Sequence, residues 1–260
     1  MATRLMFNHR LFTLATSQWI YIISRSFMKI KNLSNRIAGY GLLALLLVAA
    51  PLLAKDKSYL PAGKPDGMTL LPPPPRPGTA EYAADLATTE AAFKARTPAE
   101  TEQADKDATL LIFNFSRAIG PDLKPGRYPK TEALYQHVKI SIGDPIVAPK
   151  DYWKRARPYV VDTNLAYGEP EKNFSYPSGH SSRGTVYALV LAEVFPEKRD
   201  AILKVGEEIG WDRVVIGKHF PTDVYAGRVL GKAIFRELMA SPDFQRDLVA
   251  ARKEAQAATP

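Results

Sequence analysis

The apolar positions along the chain predict helices for most of its length after residue 78. They recur every three to four residues, which is the period of a helix that packs one face against a core. Thr79 and Thr97 stand where N-cap residues are expected, and Gly120-Pro121 stands where the second helix should stop. The predicted helices are Ala80 to Arg96, Thr97 to about Ala118, Glu132 to Ile142, Ser181 to Phe195, Glu197 to Val214, Thr222 to Met239 and Pro242 to Ala257.

Strand-like alternation of apolar and polar residues is nearly absent, and short Pro or Gly junctions separate the helices. This pattern predicts an all-α fold, a single compact multi-helix bundle domain over residues 79–260. The chain shows no fixed repeat period and no sustained heptad, which excludes solenoids and coiled coils. Residues 55–78 precede the bundle and include Leu71-Pro-Pro-Pro-Pro-Arg-Pro-Gly78, a run that predicts an extended, polyproline-like strap over the core.

The first 54 residues are typical of a leader that carries a signal peptide. Met28 opens a basic segment, an uncharged apolar run continues from Ile37, and a small residue, Ala54, stands before Lys55. This order predicts a true start near Met28 and cleavage after Ala54. A retained membrane anchor is the alternative, because the apolar run is at the lower limit of what spans a bilayer. The role of residues 1–27 stays open.

The charge of the chain is concentrated in this leader. The net charge is +8, yet residues 1–54 hold six basic residues and no acidic one, so the remainder is close to neutral. A near-neutral body argues against nucleic acid as a partner. No later stretch resembles a membrane span, so we expect a soluble mature protein, periplasmic or secreted, with no stable membrane insertion after cleavage.

The residue types available for chemistry are few. The chain has no Cys, which excludes disulfides, thiol nucleophiles and Cys-ligated zinc. His9 lies in the leader, which leaves His137, His180 and His219 as candidate histidines. Any catalysis must therefore use these three histidines together with Ser, Lys, Arg or carboxylates.

The first candidate stretch is Lys150, six residues, and then Arg157-Pro158. The pattern places two cations on a loop or a short helical segment that Pro158 ends, since proline disfavours helix at the residue before it. By itself this spacing also fits two ordinary solvated surface charges.

The second stretch is Tyr176-Pro-Ser-Gly-His180, directly before an apolar-periodic helix. It places Ser178, Gly179 and His180 at a helix N-terminus, where free backbone N–H groups and the positive end of the dipole attract an anion. The alternative is a plain N-cap turn with an exposed His180.

The third stretch is Arg213, five residues, His219, three residues, and then Asp223. Gly217 should end one helix and Pro221 should begin the next, so His219 lies at their junction with Asp223 one turn further on. A carboxylate there can accept the Nδ1 proton of the imidazole and present a basic Nε2 outward. The alternative is a His–Asp pair that only ties two helices together.

Together the three stretches resemble the signature of the type-2 phosphatidic acid phosphatase superfamily, whose fold is the all-α acid phosphatase and vanadium haloperoxidase type. Within it, the Pro-rich run and the Asp-Val-Tyr-Ala-Gly-Arg continuation after His219 resemble the bacterial class A non-specific acid phosphatases. The resemblance covers essentially the whole chain after the leader. The matching positions are Lys150, Arg157, Pro158, Pro177, Ser178, Gly179, His180, Arg213, His219 and Asp223.

The resemblance implies an exported acid phosphatase that hydrolyses phosphomonoesters of broad structure through a phosphohistidine, with no metal and no cofactor. His219 would be the nucleophile, Asp223 its orienting partner, and His180 the general acid and base. The substrates would be small phosphomonoesters such as nucleotides, sugar phosphates and aryl phosphates. The phosphate would be bound by Lys150, Arg157, Ser178, Gly179, His180 and Arg213.

Two positions depart from the family pattern. Asp212 stands where the signature has Ser, which would put a carboxylate beside the phosphate site, and Ile216 stands where relatives often have Cys. Two other functions stay open: a secreted module that binds phosphate or nucleotides without turnover, and a vanadate-dependent haloperoxidase. The sequence leaves the oligomeric state open, a homo-oligomer included.

Overall fold

A computed structural model gives the structure of residues 58–258. The predicted leader and the first residues of the predicted strap lie outside this range. Within it the chain forms helices, turns and loops and no β-strand, which confirms the all-α prediction. Short 3₁₀ turns lie at Ile112–Phe115, Thr163–Leu165 and Pro196–Lys198. The α-helices are α1 (Gly67–Leu70), α2 (Ala80–Ala95), α3 (Pro98–Lys106), α4 (Ser116–Ile119), α5 (Pro129–Ser141), α6 (Gly143–Trp153), α7 (Pro158–Val161), α8 (Gly179–Val194), α9 (Arg199–Val215), α10 (Pro221–Ala240) and α11 (Pro242–Ala258).

Helix α8 lies at the centre of the bundle. Eleven of its 16 residues are buried, and they lie on all sides of the helix. A helix that is apolar all round needs neighbours on every face, and α8 packs most extensively against α9 and α10. Because the Ser178-Gly179-His180 stretch begins this helix, the packing that buries α8 also fixes the position of the candidate anion site.

Glycines allow these helices to approach closely. A Cβ atom at Gly206 of α9 would come within 2.6 Å of the Ala188 Cβ of α8, and one at Gly227 of α10 would come within 2.7 Å of the Ser178 carbonyl oxygen. Neither separation is possible for real atoms. The two contacts therefore hold α9 and α10 directly against α8.

Most of the predicted helices are confirmed, with ends that shift by a few residues. The four C-terminal helices, α8 to α11, match their predicted ranges within two residues at each end. Helix α2 matches as well, since Thr79 caps it through a hydrogen bond from the Tyr82 backbone N–H. Helix α5 begins three residues earlier than predicted because Pro129 occupies its first turn, where the missing N–H of proline costs nothing.

The prediction of one helix from Thr97 to Ala118 is wrong at its C-terminal half. The predicted capping box at Thr97 is present, but α3 ends at Lys106. The buried Asp107 carboxylate accepts hydrogen bonds from Gln103, Asn114 and Arg117, and these contacts turn the chain. A side chain that bonds nearby groups in this way competes with continued helix.

The prediction for the Lys150 to Pro158 region is also wrong in part. Lys150 lies in α6, which confirms a helical segment there, but α6 is longer than expected and ends at Trp153, before Pro158. Pro158 begins α7 instead of ending a helix, with Arg157 as the preceding N-cap residue. Proline is well suited to the first helical position, so the same residue can stop one segment and start another.

The Pro-rich segment has little regular structure. Within the described part of residues 55–78, α1 is the one helical turn, and Asp66 caps it by accepting from the Met68 N–H. The Tyr176 hydroxyl donates to the Pro72 carbonyl at 2.6 Å, which attaches the segment next to the second signature stretch. Between residues 58 and 258, no helix has both the length and the apolar character needed to cross a membrane.

Replacing Gly227 by Ala should destabilise the fold. The new Cβ must displace the start of α8, at a cost of about 1–3 kcal/mol, which exceeds the gain of about 1 kcal/mol in helix propensity. Gly143→Ala is the matched control, because a Cβ at this first residue of α6 meets no atom within 4 Å. Urea unfolding measures both variants. Equal stability of the two variants would contradict the close-packing account.

Candidate active site

Three helix junctions bring the signature residues together: the end of α6 with the start of α7, the start of α8, and the turn between α9 and α10. Gly217 makes the last turn possible. Its φ is +67°, and a Cβ there would lie 2.4 Å from the Leu165 carbonyl oxygen. Glycine adopts this left-handed conformation without strain. The turn places His219 directly before α10 and buries it, with 2% of its surface exposed.

The His219 ring lies between the carboxylate of Asp223 and the guanidinium of Arg157. Its Nδ1 lies 3.2 Å from Asp223 Oδ2, and its Nε2 lies 3.2 Å from Arg157 Nη1. A carboxylate can only accept and a guanidinium can only donate, so Nδ1 carries the proton and Nε2 the lone pair. Burial and the nearby cations, Arg157 first among them, hold the pKa of His219 well below its usual value. The ring is therefore neutral, with its basic nitrogen toward the cations.

Asp223 is fixed by several donors besides His219. Its Oδ2 accepts from the Ser175 hydroxyl at 2.5 Å and from the Phe220 N–H at 3.0 Å, and its Oδ1 accepts from Arg155 Nη1 at 2.6 Å. The side chain is fully buried. The carboxylate therefore has one charged partner and one orientation, which in turn fixes the orientation of the histidine.

Arg155 links this pair to a second carboxylate on α2. Its Nη2 donates to Asp85 Oδ2 at 2.6 Å, and both side chains are buried. Asp85 also accepts from the Thr222 N–H at 3.0 Å and from the Thr222 hydroxyl. A single guanidinium thus forms ion pairs with two buried carboxylates and ties α2 to the start of α10.

Lys150 and Arg157 are buried cations with mainly neutral partners. Lys150 Nζ donates to the Phe174 carbonyl at 2.8 Å, and Arg157 donates to the Lys218 carbonyl at 2.8 Å and to Asn173. Burial, and then the charge of Arg157, lowers the pKa of Lys150 to about 7. The pKa of Arg157 is lowered too, chiefly by burial. Uncompensated buried charge of this kind favours binding of an anion.

Arg213 has an acidic partner in the structure. Its Nη2 donates to Glu171 Oε1 at 2.6 Å, while its Nε is buried without a partner. Burial lowers the pKa of Arg213, and Glu171 opposes that shift. Arg213 is therefore close to the other cations but only partly satisfied.

The start of α8 offers fewer free donors than the sequence suggested. The Ser178 N–H donates to the Asp223 carbonyl at 2.9 Å, and the Ser178 hydroxyl oxygen accepts from the Ser181 N–H as an N-cap. Gly179 lies close to Lys150, since a Cβ on Gly179 would come within 3.7 Å of the Lys150 Cε. The Ser178 N–H is therefore already hydrogen-bonded, and Ser178 can offer an anion only the proton of its hydroxyl group.

His180 lies at the same helix start, and its Nε2 contacts a backbone carbonyl from an earlier part of the chain. Nε2 lies 3.1 Å from the Ala108 carbonyl oxygen, which can only accept, so Nε2 carries the proton of the neutral ring. Nδ1 is then the nitrogen that gains or loses a proton. Burial, and then the charge of Arg213, lowers the pKa of His180 to about 4. Without a ligand, His180 is neutral over most of the acidic range.

Asp212 faces away from this cluster. Burial, and then the neighbouring Asp107, raises the pKa of Asp212 to about 7, with Arg117 opposing the shift. Successive residues of a helix point about 100° apart, so Asp212 and Arg213 meet different neighbours. The carboxyl group that stands in the Ser position therefore belongs to an acidic cluster around Arg117, and it is protonated at acidic pH.

Sequence reasoning missed four residues that complete the site. Arg155 and Ser175 fix Asp223, Asp85 holds Arg155, and Glu171 pairs with Arg213. Arg155 lies between Lys150 and Arg157, and this third cation within the first signature stretch was the sequence signal that could have identified it. Asp85 lies 70 residues before its partner Arg155 along the chain, and no local pattern pairs the two. Among residues 58–258, no group of three or more His, Asp or Glu side chains could hold a metal ion.

Replacing Arg155 by Met should strongly destabilise the protein. It leaves Asp85 and Asp223 buried and uncompensated, and breaking a buried pair in this way costs about 3–5 kcal/mol. Arg246→Met, which removes an exposed ion pair on α11, is the matched control and should have a much smaller effect. Chemical denaturation measures both. A loss at Arg155 no larger than that at Arg246 would mean that the network does not hold α2.

Comparisons with known proteins show which family the chain belongs to. The model of the PAP2 superfamily matches residues 138–247. A non-specific acid phosphatase of Providencia stuartii is 36% identical over 199 residues, which is 73% of this chain and 80% of the relative. That of Salmonella typhimurium is 34% identical, over 71% of this chain and 78% of the relative. An acid phosphatase of Zymomonas mobilis is 31% identical, over 73% of this chain and 75% of the relative. The chain therefore belongs to the PAP2 superfamily and, within it, to the class A acid phosphatases.

Proposed function

We propose that this phosphatase hydrolyses small phosphomonoesters through a covalent phosphohistidine on His219, without a metal ion. The observation that carries the proposal is the environment of His219: Asp223 holds its Nδ1 proton, its Nε2 lies 3.2 Å from Arg157 Nη1, and the charges of Lys150 and Arg213 also act on the ring. A neutral, oriented imidazole next to concentrated positive charge suits attack on a phosphoryl group.

Substrate binding uses the cations. Lys150, Arg157 and Arg213 are all at least nine-tenths buried and lie around one site, and their charges oppose one another. A phosphoryl dianion relieves that repulsion and fills the open donors. The same charges stabilise the electron-rich equatorial oxygens of the transition state, so electrostatic stabilisation is the main contribution to the rate.

In the first step, His219 Nε2 attacks phosphorus in line with the ester oxygen. The N–P bond forms as the P–O bond to the alcohol breaks, and the electron pair of the broken bond goes to the leaving oxygen. Protonated His180 gives its Nδ1 proton to that oxygen, so the alcohol leaves neutral. Asp223 stabilises the positive charge that develops on the His219 ring, since its Oδ2 lies 3.2 Å from the Nδ1 of that ring.

In the second step, water attacks the phosphorus of the phosphohistidine. His180, now neutral, accepts the proton of the water, the P–N bond breaks, and its electron pair returns to His219 Nε2. Inorganic phosphate is released, and His180 is again protonated. The cycle begins and ends with the same protons on both histidines.

Export and broad substrate choice are part of the proposal. The leader pattern of residues 28–54 supports export to the periplasm or outside the cell. Broad choice is supported by the chemistry: the named contacts all address the phosphoryl group, and none of them recognises a particular alcohol. Nucleotides, sugar phosphates and aryl phosphates are the expected substrates.

Leaving-group chemistry should separate the two histidines. His219→Ala removes the attacking nitrogen, so all phosphomonoesters should lose turnover and no phosphoenzyme should form. His180→Ala removes the proton donor, a loss of about 10²–10⁴-fold, and it should affect alkyl phosphates more than p-nitrophenyl phosphate, whose phenolate leaves unaided. Turnover in the presence of EDTA measures each variant.

His137→Ala is the matched control. This histidine contacts Tyr59 and Asp247 and none of the site residues, so the variant should keep wild-type turnover. Acid-quench trapping with labelled substrate should find phosphate on His219 in the His180 variant. Label on Ser178, ordinary turnover in His219→Ala, or loss of wild-type activity in EDTA with rescue by a divalent metal would each refute the scheme.

Binding of a dianion should take up protons in two pH ranges. A negative charge in the site raises the low pKa of His180, about 4, and the lowered pKa of Lys150, about 7. Sulfate, a dianion throughout this range, should therefore bind more tightly as the pH falls from 8.5, and again as it falls below about 6. Calorimetry in two buffers of different ionisation enthalpy measures the uptake. His180→Gln should lose only the lower range, and an affinity independent of pH would contradict the assignment.

A further inference from the structure

One short segment supplies a partner to each cation of the phosphate site. Residues 171–175 lie between α7 and α8, and every contact that they make with these cations uses an acceptor atom. Four of the acceptors are neutral amide or carbonyl oxygens, and one is a carboxylate. The contacts are Glu171 Oε1 with Arg213 Nη2 at 2.6 Å, Asn173 Oδ1 with Arg157 Nη2 at 2.6 Å, Asn173 O with Arg157 Nε at 2.9 Å, Phe174 O with Lys150 Nζ at 2.8 Å and with Arg157 Nη2 at 3.4 Å, and Ser175 O with Lys150 Nζ at 3.3 Å.

Glu171 is the acidic residue of this segment. Its burial raises its pKa, but Arg157 and Arg213 outweigh that effect, and its pKa is lowered overall. It is therefore ionised at the acidic pH expected for the reaction. About 31% of its side chain is exposed, so it can move toward solvent without unfolding the segment. Its backbone N–H donates to the Tyr159 hydroxyl at 2.9 Å, which anchors the segment independently of the carboxylate.

Arg213 is the cation whose donors are least satisfied. Its Nη2 contacts Glu171, while its Nε is buried with no partner. A buried donor without a partner is costly, and a phosphoryl group with several oxygens can satisfy more of the guanidinium than one carboxylate oxygen does. A phosphoryl dianion and the Glu171 carboxylate would also repel each other if both remained on Arg213.

We propose that Glu171 is an internal competitor for the phosphate site: its carboxylate occupies Arg213 in the free enzyme and is displaced when a phosphoryl group binds. The inference rests on the proposed function and adds a residue that determines affinity. Because the carboxylate returns to Arg213 when the ligand leaves, it weakens binding of the ester and of the product phosphate alike. Glu171 thereby favours release of phosphate at the end of each cycle.

The test compares two variants of Glu171 with a control on the same segment of chain. Glu171→Gln removes the charge and keeps the shape. Glu171→Asp keeps the charge but shortens the side chain, so that it cannot reach Arg213. Glu169→Gln removes an equal charge from an exposed side chain two residues earlier. The dissociation constant of inorganic phosphate, measured by calorimetry at pH 5, is the readout, together with its inhibition constant against p-nitrophenyl phosphate.

Phosphate should bind about tenfold more tightly to both Glu171 variants, the effect expected for loss of one charge-assisted hydrogen bond that competes with the ligand. Glu169→Gln should stay within about twofold of wild type, because an exposed charge is screened by solvent. Turnover at saturating substrate should fall in the Glu171 variants where release of phosphate limits the rate.

Two results would overturn the inference. Unchanged or weaker phosphate binding in Glu171→Gln would mean that the carboxylate does not compete. Tighter binding in Glu171→Gln with wild-type binding in Glu171→Asp would mean that charge acts at a distance, without displacement. Calorimetry needs no turnover, so failure of the proposed function is read separately: a wild-type protein that binds phosphate but hydrolyses no ester would refute the mechanism and leave the competition measurable.

Discussion

The buried carboxylate of Asp223 is the interaction on which the rest of the site depends. It accepts from four donors on three different parts of the chain, and its backbone carbonyl accepts from the Ser178 N–H at the start of α8. A fully buried charge is tolerated only when it is paired and hydrogen-bonded on every side. The cation of Arg155 and the hydroxyl of Ser175 meet that requirement, and as a result the neighbouring His219 has one tautomer and one orientation.

The rest of the site is a balance of positive charges. Burial lowers the pKa of Lys150, Arg157 and Arg213, and the charge of Arg157 lowers the pKa of the other two further. The fold keeps them close by giving them neutral carbonyl partners and one carboxylate, Glu171. His180 belongs to the same balance: burial, and then the charge of Arg213, lowers its pKa, so an incoming dianion favours binding of the proton that His180 later donates. The cations thus bind the phosphoryl group, and the bound phosphoryl group in turn favours the protonated form of His180, the general acid.

The packing of the helices sets how accurately these groups meet. Close contacts at Gly206 and Gly227 bring α9 and α10 against α8, and the left-handed Gly217 turns the chain between α9 and α10. Interiors packed at this density transmit small displacements, so a change at one crossing moves the start of α8 relative to His219. The glycines are therefore part of the geometry of the site, although none of these three carries a functional group.

The all-α class, the ranges of α8 to α11 and the signature residues could be read from the sequence alone, because helix periodicity, caps and short spacings are local properties. The prediction for α3 failed because Asp107 bonds Asn114 and Arg117 and ends that helix early. Pro158 was expected only to end the segment before it, and it also begins α7. Which groups face each signature residue depends on the tertiary structure. Asp85 and Glu171 lie far along the chain from their partners, and the energy of such a buried ion pair depends on the fold that excludes water around it.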